Sequence, residues 1–336
     1  MASQPAEPVY RTPVPFFTRL VYASKLYLSK FAIKVVFCVL NLPGIRKKAH
    51  QPTFTKVYPI QPSLRHRIFV PKQWKHGDAP LPLYLDIHGG GFALLEPRAD
   101  DAFCANFCNE NKLLVVSLDY PLAPASRYPK AVHALVDVVK AVLGDKSLPI
   151  DTKKVTIGGS SAGANLSLAC TQDPSLQGKI GGLVAYYPPC DISTPVKVAM
   201  ATRPANAGKD MLETKADMFN WAYCTDDINL RDPQLSPKYA ERAKLPPKLY
   251  IVGCDFDLLC RDSEIMAEKF ASVGNGKRTG TDDCWERNGV KWERILGEEH
   301  AFDIVMGSGE ITARRIKRRA EMYASVAEFL FREVYI

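Results

Sequence analysis

The sequence predicts an α/β protein: a mostly parallel central sheet with helices on both faces and a helical cap. Three observations point there. From about Lys56 onward, short apolar runs alternate with helical patterns, the signature of strand–helix–strand units. Several of those runs end directly in glycine or proline turns, as in "LPLYLDIHGGGF" and "KKVTIGGSSAG". Two long stretches, 14–45 and 191–246, break the alternation and are the material for a cap. Residues 1–55 are therefore expected to form N-terminal cap helices. Residues 56–336 are expected to form the sheet domain, with a cap insertion at about 191–246.

The elements follow in order. "RHRIFVP" (65–71) reads as a strand, "LPLYLDIHGGGF" (81–92) as an apolar strand running into glycines, and "KLLVVSLDYPLAP" (112–124) as a strand ended by its prolines. "YPKAVHALVDVVKAVLG" (128–144) has helical periodicity and a glycine stop. "KKVTIGG" is a strand that enters a turn, and "ANLSLACTQ" begins the helix after it. "IGGLVAYYPP" (180–189) and "PKLYIVGCDFD" (247–257) are two further buried strands. "SEIMAEKFASVG" (263–274) is an amphipathic helix, "VKWERILGEEHAF" (290–302) a last strand with a loop behind it, and 309–335 is helical. No internal repeat or low-complexity segment appears.

Size and composition suit one large domain, or one domain with a smaller addition. Of the 336 residues, 46% are hydrophobic and 24% charged, enough for a substantial core. The net charge of +8 is scattered apart from "IRKKAH" (45–50) and "ARRIKRRAE" (313–321). The second cluster lies on a helical segment and reads as a solvated face, so no nucleic-acid partner is expected. The nine cysteines form no C-x-x-C pair, and Cys104 and Cys108 have helical spacing without a nearby histidine. No metal site is expected, and reduced thiols in an intracellular compartment are. The first apolar stretch is interrupted by lysines and followed by no small-residue cleavage site, so no signal peptide is read.

The chemistry starts at "VTIGGSSAGANL" (155–166). Gly159-Ser160-Ser161-Ala162-Gly163 matches the G-x-S-x-G elbow, in which a nucleophile sits on a sharp strand-to-helix turn. The residues two before and two after must be small because strand and helix backbones nearly touch. That frame favours Ser161 over Ser160. A serine hydroxyl needs a histidine to take its proton, a carboxylate behind the histidine, and amide donors for the developing oxyanion. Of six histidines only His300, in "GEEHAFD", lies downstream of Ser161 in the order serine, acid, histidine. "VGCDFDLLCRD" offers Asp257, with Asp255 as the reserve, while Asp262 reads as a cap of the following helix. "HGGGF" (88–92) is the glycine motif whose backbone amides complete an oxyanion hole.

From about residue 81 to 305 the chain resembles the hormone-sensitive-lipase-like branch of the α/β-hydrolases. The resemblance rests on "HGGGF", "DYPLAPASRYPKA", "GGSSAGANL", "DFDLLCRD" and "GEEHAF". It implies Ser161 as nucleophile, Asp257 as acid and His300 as base, with the amides of Gly90, Gly91 and Ala162 as the oxyanion hole. It implies hydrolysis of small lipophilic carboxylic esters through an acyl-enzyme, with no organic cofactor or metal. The chain departs from many relatives in Ser160 where they have aspartate, in Ala164, and in a polar insertion at 275–290 beside the histidine loop. The G-G-x-S-A-G form looks like fungal members. Two other readings use the same fold. One is a natural-product tailoring enzyme (deacetylase, lactonase or cyclase). The other is a ligand-binding receptor like the plant gibberellin receptors, which resemble the family but lack the histidine present here as His300.

"FFTRLVYASKLYLSKFAIKVVFCVLNLPG" (16–44) is apolar, yet Arg19, Lys25, Lys30 and Lys34 interrupt it. At roughly 100° per residue, Arg19, Lys30, Lys34 and Asn41 share a sector about 60° wide, with Lys25 the exception. The segment reads as an amphipathic helix with a basic stripe and a broad apolar face. By resemblance it caps the site, closing an apolar pocket above Ser161 with part of 191–246. Peripheral association with a membrane surface and spanning of the membrane are the alternatives.

Overall fold

The structure, a computed structural model, describes residues 7–40, 50–305 and 307–336. The expected Asn41 and most of the 45–50 basic cluster lie outside the described residues. The first helix, α1, spans Phe16–Leu40. The strands are β1 Phe54–Lys56, β2 His66–Phe69, β3 Leu81–Ile87, β4 Leu114–Leu118, β5 Ile150–Ser160, β6 Gly182–Tyr186, β7 Lys248–Cys254, β8 Thr279–Gly280, β9 Cys284–Arg287 and β10 Val290–Ile295. The remaining α-helices are α2 Asp101–Asn111, α3 Lys130–Leu143, α4 Ala162–Cys170, α5 Val196–Met200, α6 Ala216–Tyr223, α7 Cys260–Ala271 and α8 Glu310–Glu333.

The strands join one sheet in the order β1-β2-β4-β3-β5-β6-β7-β10-β9-β8. From β4 to β10 every pairing is parallel, and antiparallel strands extend both edges. Period-two alternation decides which face each side chain serves. On β7, Leu249 and Ile251 enter one core, which packs against α3, α4 and α7. Tyr250, Val252 and Cys254 enter the other, beneath α2 and α8. Strands buried on both faces explain the continuous apolar runs of the sequence.

Three elements differ from the sequence reading. Residues 275–290 are not merely a polar insertion, because β8 and β9 extend the sheet beyond β10. Trp285 pairs in register with Trp292 and is buried, and the Arg278 guanidinium covers its ring at 4.6 Å. Helix α7 starts three residues earlier than expected. Asp262 therefore sits within its first turn rather than capping it, and Lys238 Nζ donates to it at 2.6 Å. The basic segment of α8 is not simply solvated. Arg314 donates to Glu298 at 2.8 Å and Arg315 donates to it at 3.2 Å, and Glu298 is fully buried.

Helix α1 lies on α6, with Leu26 buried and Tyr22 against Trp221 at 5.9 Å between ring centres. Two cations of its stripe, Arg19 and Lys30, reach the body, while Lys34 stays exposed. Arg19 donates to Asp226 at 3.0 Å, and Lys30 donates to the Ala123 carbonyl at 2.7 Å. The broad apolar face is the exposed one.

Candidate active site

The sharp turn forms where the sequence requires it. Ser161 stands between β5 and α4 with φ 52° and ψ −119°, a conformation that non-glycine residues rarely adopt and that costs on the order of 1–3 kcal/mol. The glycines around it allow a very close approach. A Cβ on Gly159 would meet the carbonyl carbon of Gly163 at 2.7 Å, and one on Gly163 would strike the Ile87 carbonyl oxygen. The turn thereby holds the Ser161 side chain above the carboxyl ends of the parallel strands.

The loops after β7 and β10 open at that same end of the sheet. They bring Asp257 and His300 to the serine. His300 Nδ1 lies 2.6 Å from Asp257 Oδ2, and since a carboxylate oxygen accepts, the ring proton is on Nδ1. Nε2 is then free to accept from Ser161 Oγ at 2.9 Å. The Asp257 carboxylate is itself fixed by the Leu259 amide, which donates to Oδ1 at 2.9 Å. Asp255 points elsewhere, accepting from the Gly297 amide at 3.2 Å.

Among the described residues, none of the amides of Gly90, Gly91 and Ala162 donates to an internal acceptor. Ala162 is the first residue of α4, where the amide has no partner within the helix. Gly91, Ala162 and Ser161 line one cavity of about 80 Å³, whose apolar wall includes Val196, Leu212, Phe219 and Leu258. Gly90 is not on that wall, and its carbonyl turns back to accept from Leu94 at 2.8 Å. A Cβ on Gly91 would stand 2.5 Å from the Phe219 ring, so α6 packs directly on the glycine loop. Ser160 faces a separate cavity of about 580 Å³, lined also by Asp86, Asp100, Asp303 and Tyr323 and by neither Asp257 nor His300.

A sequence profile of the alpha/beta hydrolase fold family matches residues 84–281. The chain belongs to that family. An esterase of Acinetobacter venetianus is 33% identical over 191 residues, covering 56% of this chain and 60% of its own length. An AB hydrolase superfamily protein of Schizosaccharomyces pombe is 26% identical over 229 residues, covering 62% of this α/β-hydrolase and 63% of the yeast protein. The chain thus matches under two thirds of the length of either curated relative. Among solved structures, the thermophilic carboxylesterase EstE1 from a metagenomic library superposes with a TM-score of 0.72 at 21% identity, over 93% of this chain and 97% of that one.

In this α/β-hydrolase the electrostatics follow from burial. Burial alone would lower the His300 pKa. Asp257, with Asp210 and Asp303 beyond it, acts the other way, and the net shift is upward. His88, at the head of the glycine motif, is held neutral instead, its pKa pushed down to about 4 by burial. Its Nδ1 donates to the Gly89 carbonyl at 2.8 Å and its ring stacks on Tyr120 at 4.4 Å, so it braces the glycine turn.

Three supports escaped sequence reasoning. Asp210 accepts from the Leu258 amide at 2.8 Å, tying the segment between β6 and β7 to the Asp257 loop. Tyr187 packs edge-on against His300 at 4.9 Å while donating to Asp303 at 2.7 Å. Arg315 donates to Glu298, Glu299 and the Val305 carbonyl, holding both sides of the His300 loop. Only the basic cluster of α8 carried any signal in the sequence, and its partners in the loop before the helix reveal its use.

Proposed function

We propose that this chain is a serine hydrolase of carboxylic esters, with Ser161 as nucleophile, His300 as general base and Asp257 as the acid that orients it. One observation carries the reading: an unbroken relay from Ser161 Oγ through His300 to Asp257, at 2.9 and 2.6 Å, beside free backbone amides. As Ser161 attacks the ester carbonyl, His300 Nε2 takes its proton. The tetrahedral oxyanion is stabilised by the amides of Gly91 and Ala162, with Gly90 as the third donor. Each such donor contributes roughly 3 kcal/mol. His300 then protonates the leaving alcohol, and a water activated at the same nitrogen releases the acid and restores Ser161.

The segment 191–246 acts as a cap insertion in this reading, supplying the Val196, Leu212 and Phe219 wall. A cavity of about 80 Å³ with that apolar wall favours short acyl chains. Within the family the chain reads as hormone-sensitive-lipase-like and fungal-type, supported by its glycine and elbow motifs and the similarity to a yeast protein. Nine cysteines, seven of them buried and none paired, support a reducing intracellular compartment.

A fluorophosphonate tests this directly, because it needs an activated hydroxyl and oxyanion donors together. Stoichiometric labelling of Ser161 is expected, with p-nitrophenyl acetate and butyrate cleaved faster than the dodecanoate. Intact protein that neither labels nor cleaves any ester in the series overturns the reading, and tight binding of a small ligand instead marks a receptor.

A further inference from the structure

The outward face of α1 has no counterpart in the body of the protein. Phe17 is 79% exposed, and Leu28 and Phe31 are each 68% exposed. At ~100° per residue, Phe17, Leu20, Leu28, Phe31, Val35 and Val39 fall within an arc of about 100°. Exposed Lys25 and Lys34 stand about 40° beyond the two edges of that arc. The helix contains no aspartate or glutamate. Its opposite face is already occupied, since Leu26 is buried and Tyr22 rests on Trp221.

We infer that α1 is an interfacial helix that seats the protein on an anionic lipid surface. The arc is wider than the seam by which helices pair, and it suits a fluid apolar medium. The flanking lysines sit where lipid headgroups would be when the arc is immersed, and they match negative phosphates. A second copy of the chain fits poorly. Two α1 helices face to face would bring their lysines together with no carboxylate on either helix to meet them. Spanning is also disfavoured: no described helix is long and apolar enough to cross a membrane, and one face of α1 is held by α6. The helix lies in the surface rather than through it.

The placement has a second consequence, which rests on the ester-hydrolase reading. Helix α6 meets α1 through Trp221 and lines the Ser161 cavity through Ala216, Phe219 and Asn220. One helix therefore separates the lipid surface from the pocket, and the substrate class it points to is an ester dissolved in the bilayer.

The test is co-sedimentation of the full chain with vesicles of phosphatidylcholine, with and without phosphatidylserine. Binding to the serine-lipid vesicles is expected, weakened by salt and by Lys25→Glu/Lys34→Glu. Leu28→Asp/Phe31→Asp should reduce partitioning about a hundredfold or more. That variant should keep full activity on a soluble short ester, since neither residue touches the catalytic cavity, while losing its rate on a short-acyl ester of a lipophilic alcohol carried in vesicles. No binding by the natural chain, or undiminished binding by the aspartate variant, overturns the inference. So does a concentration-dependent dimer that the variant abolishes without any vesicle binding. Vesicle binding is read without substrate, so it stands or falls separately from ester hydrolysis.

Discussion

Replacing Asp257 by asparagine isolates what the carboxylate does for His300, because the two side chains have the same shape. The amide oxygen can keep the Leu259 amide, now 2.9 Å from Oδ1, so the loop has little reason to move. The other atom, 2.6 Å from His300 Nδ1, becomes a donor or is turned away. A donor there requires Nδ1 to accept, which puts the ring proton on Nε2, facing Ser161 and unable to receive its proton. The imidazolium formed during attack also loses its counter-charge in a site where His300 is 6% exposed. Breaking a buried charge pair costs about 3–5 kcal/mol, or roughly 10² to 10⁴ in rate. The wrong tautomer adds to this, so a loss near 10⁴ in kcat is expected with KM little changed. Hydrolysis of p-nitrophenyl butyrate by purified, folded protein reads it. Asp255→Asn is the control and should keep most of the activity. A mild loss in Asp257→Asn beside a severe one in Asp255→Asn would refute the reasoning and move the acid by two residues.

Further expectations follow from the same geometry. Ser161→Ala should remove nearly all activity, by about 10⁴ to 10⁶ in kcat, while Ser160→Ala, which empties a hydroxyl from the other cavity, should leave most of it. Activity should rise with pH as His300 loses its proton. Because its folded pKa is raised, the midpoint of kcat/KM should lie above the usual histidine value of about 6.5, and a flat profile from about pH 5 to 8 would count against a histidine base. Arg315→Ala removes the donors that hold both sides of the His300 loop. It should lower stability by roughly 1–3 kcal/mol in urea and reduce kcat more than it raises KM.

Local signals carried far into this fold. Apolar runs ending in glycine mark β3 and β5, and the need for small residues at 159 and 163 singles out Ser161 from Ser160 before any coordinates. What stayed hidden depends on partners distant in the chain. The β8–β9 extension is polar in sequence because Arg278 and the strand exteriors face water. Its buried ring, Trp285, makes sense only opposite Trp292. A helical wheel groups Arg19, Lys30 and Lys34 but says nothing about which way the group points. Asp226 and the Ala123 carbonyl turn Arg19 and Lys30 inward, and Lys34 stays exposed. Spacing ranked Asp257 first and kept Asp255 as its reserve, since both follow β7 and only the loop path separates them.

The missing side chain of Gly91 and the ring of Phe219 fit as notch and tooth. The glycine belongs to the loop behind β3 and the phenylalanine to α6, more than a hundred residues later in the chain. Neither can change size alone. A graft that exchanged the 191–246 segment for one from another hydrolase would have to bring a ring of the same bulk at that spot, or leave the glycine loop free to collapse. The two therefore form a single unit for anyone recombining or evolving this scaffold, and specificity is more safely altered at Val196 or Leu212, on the same wall but away from the glycine and Asp257 loops.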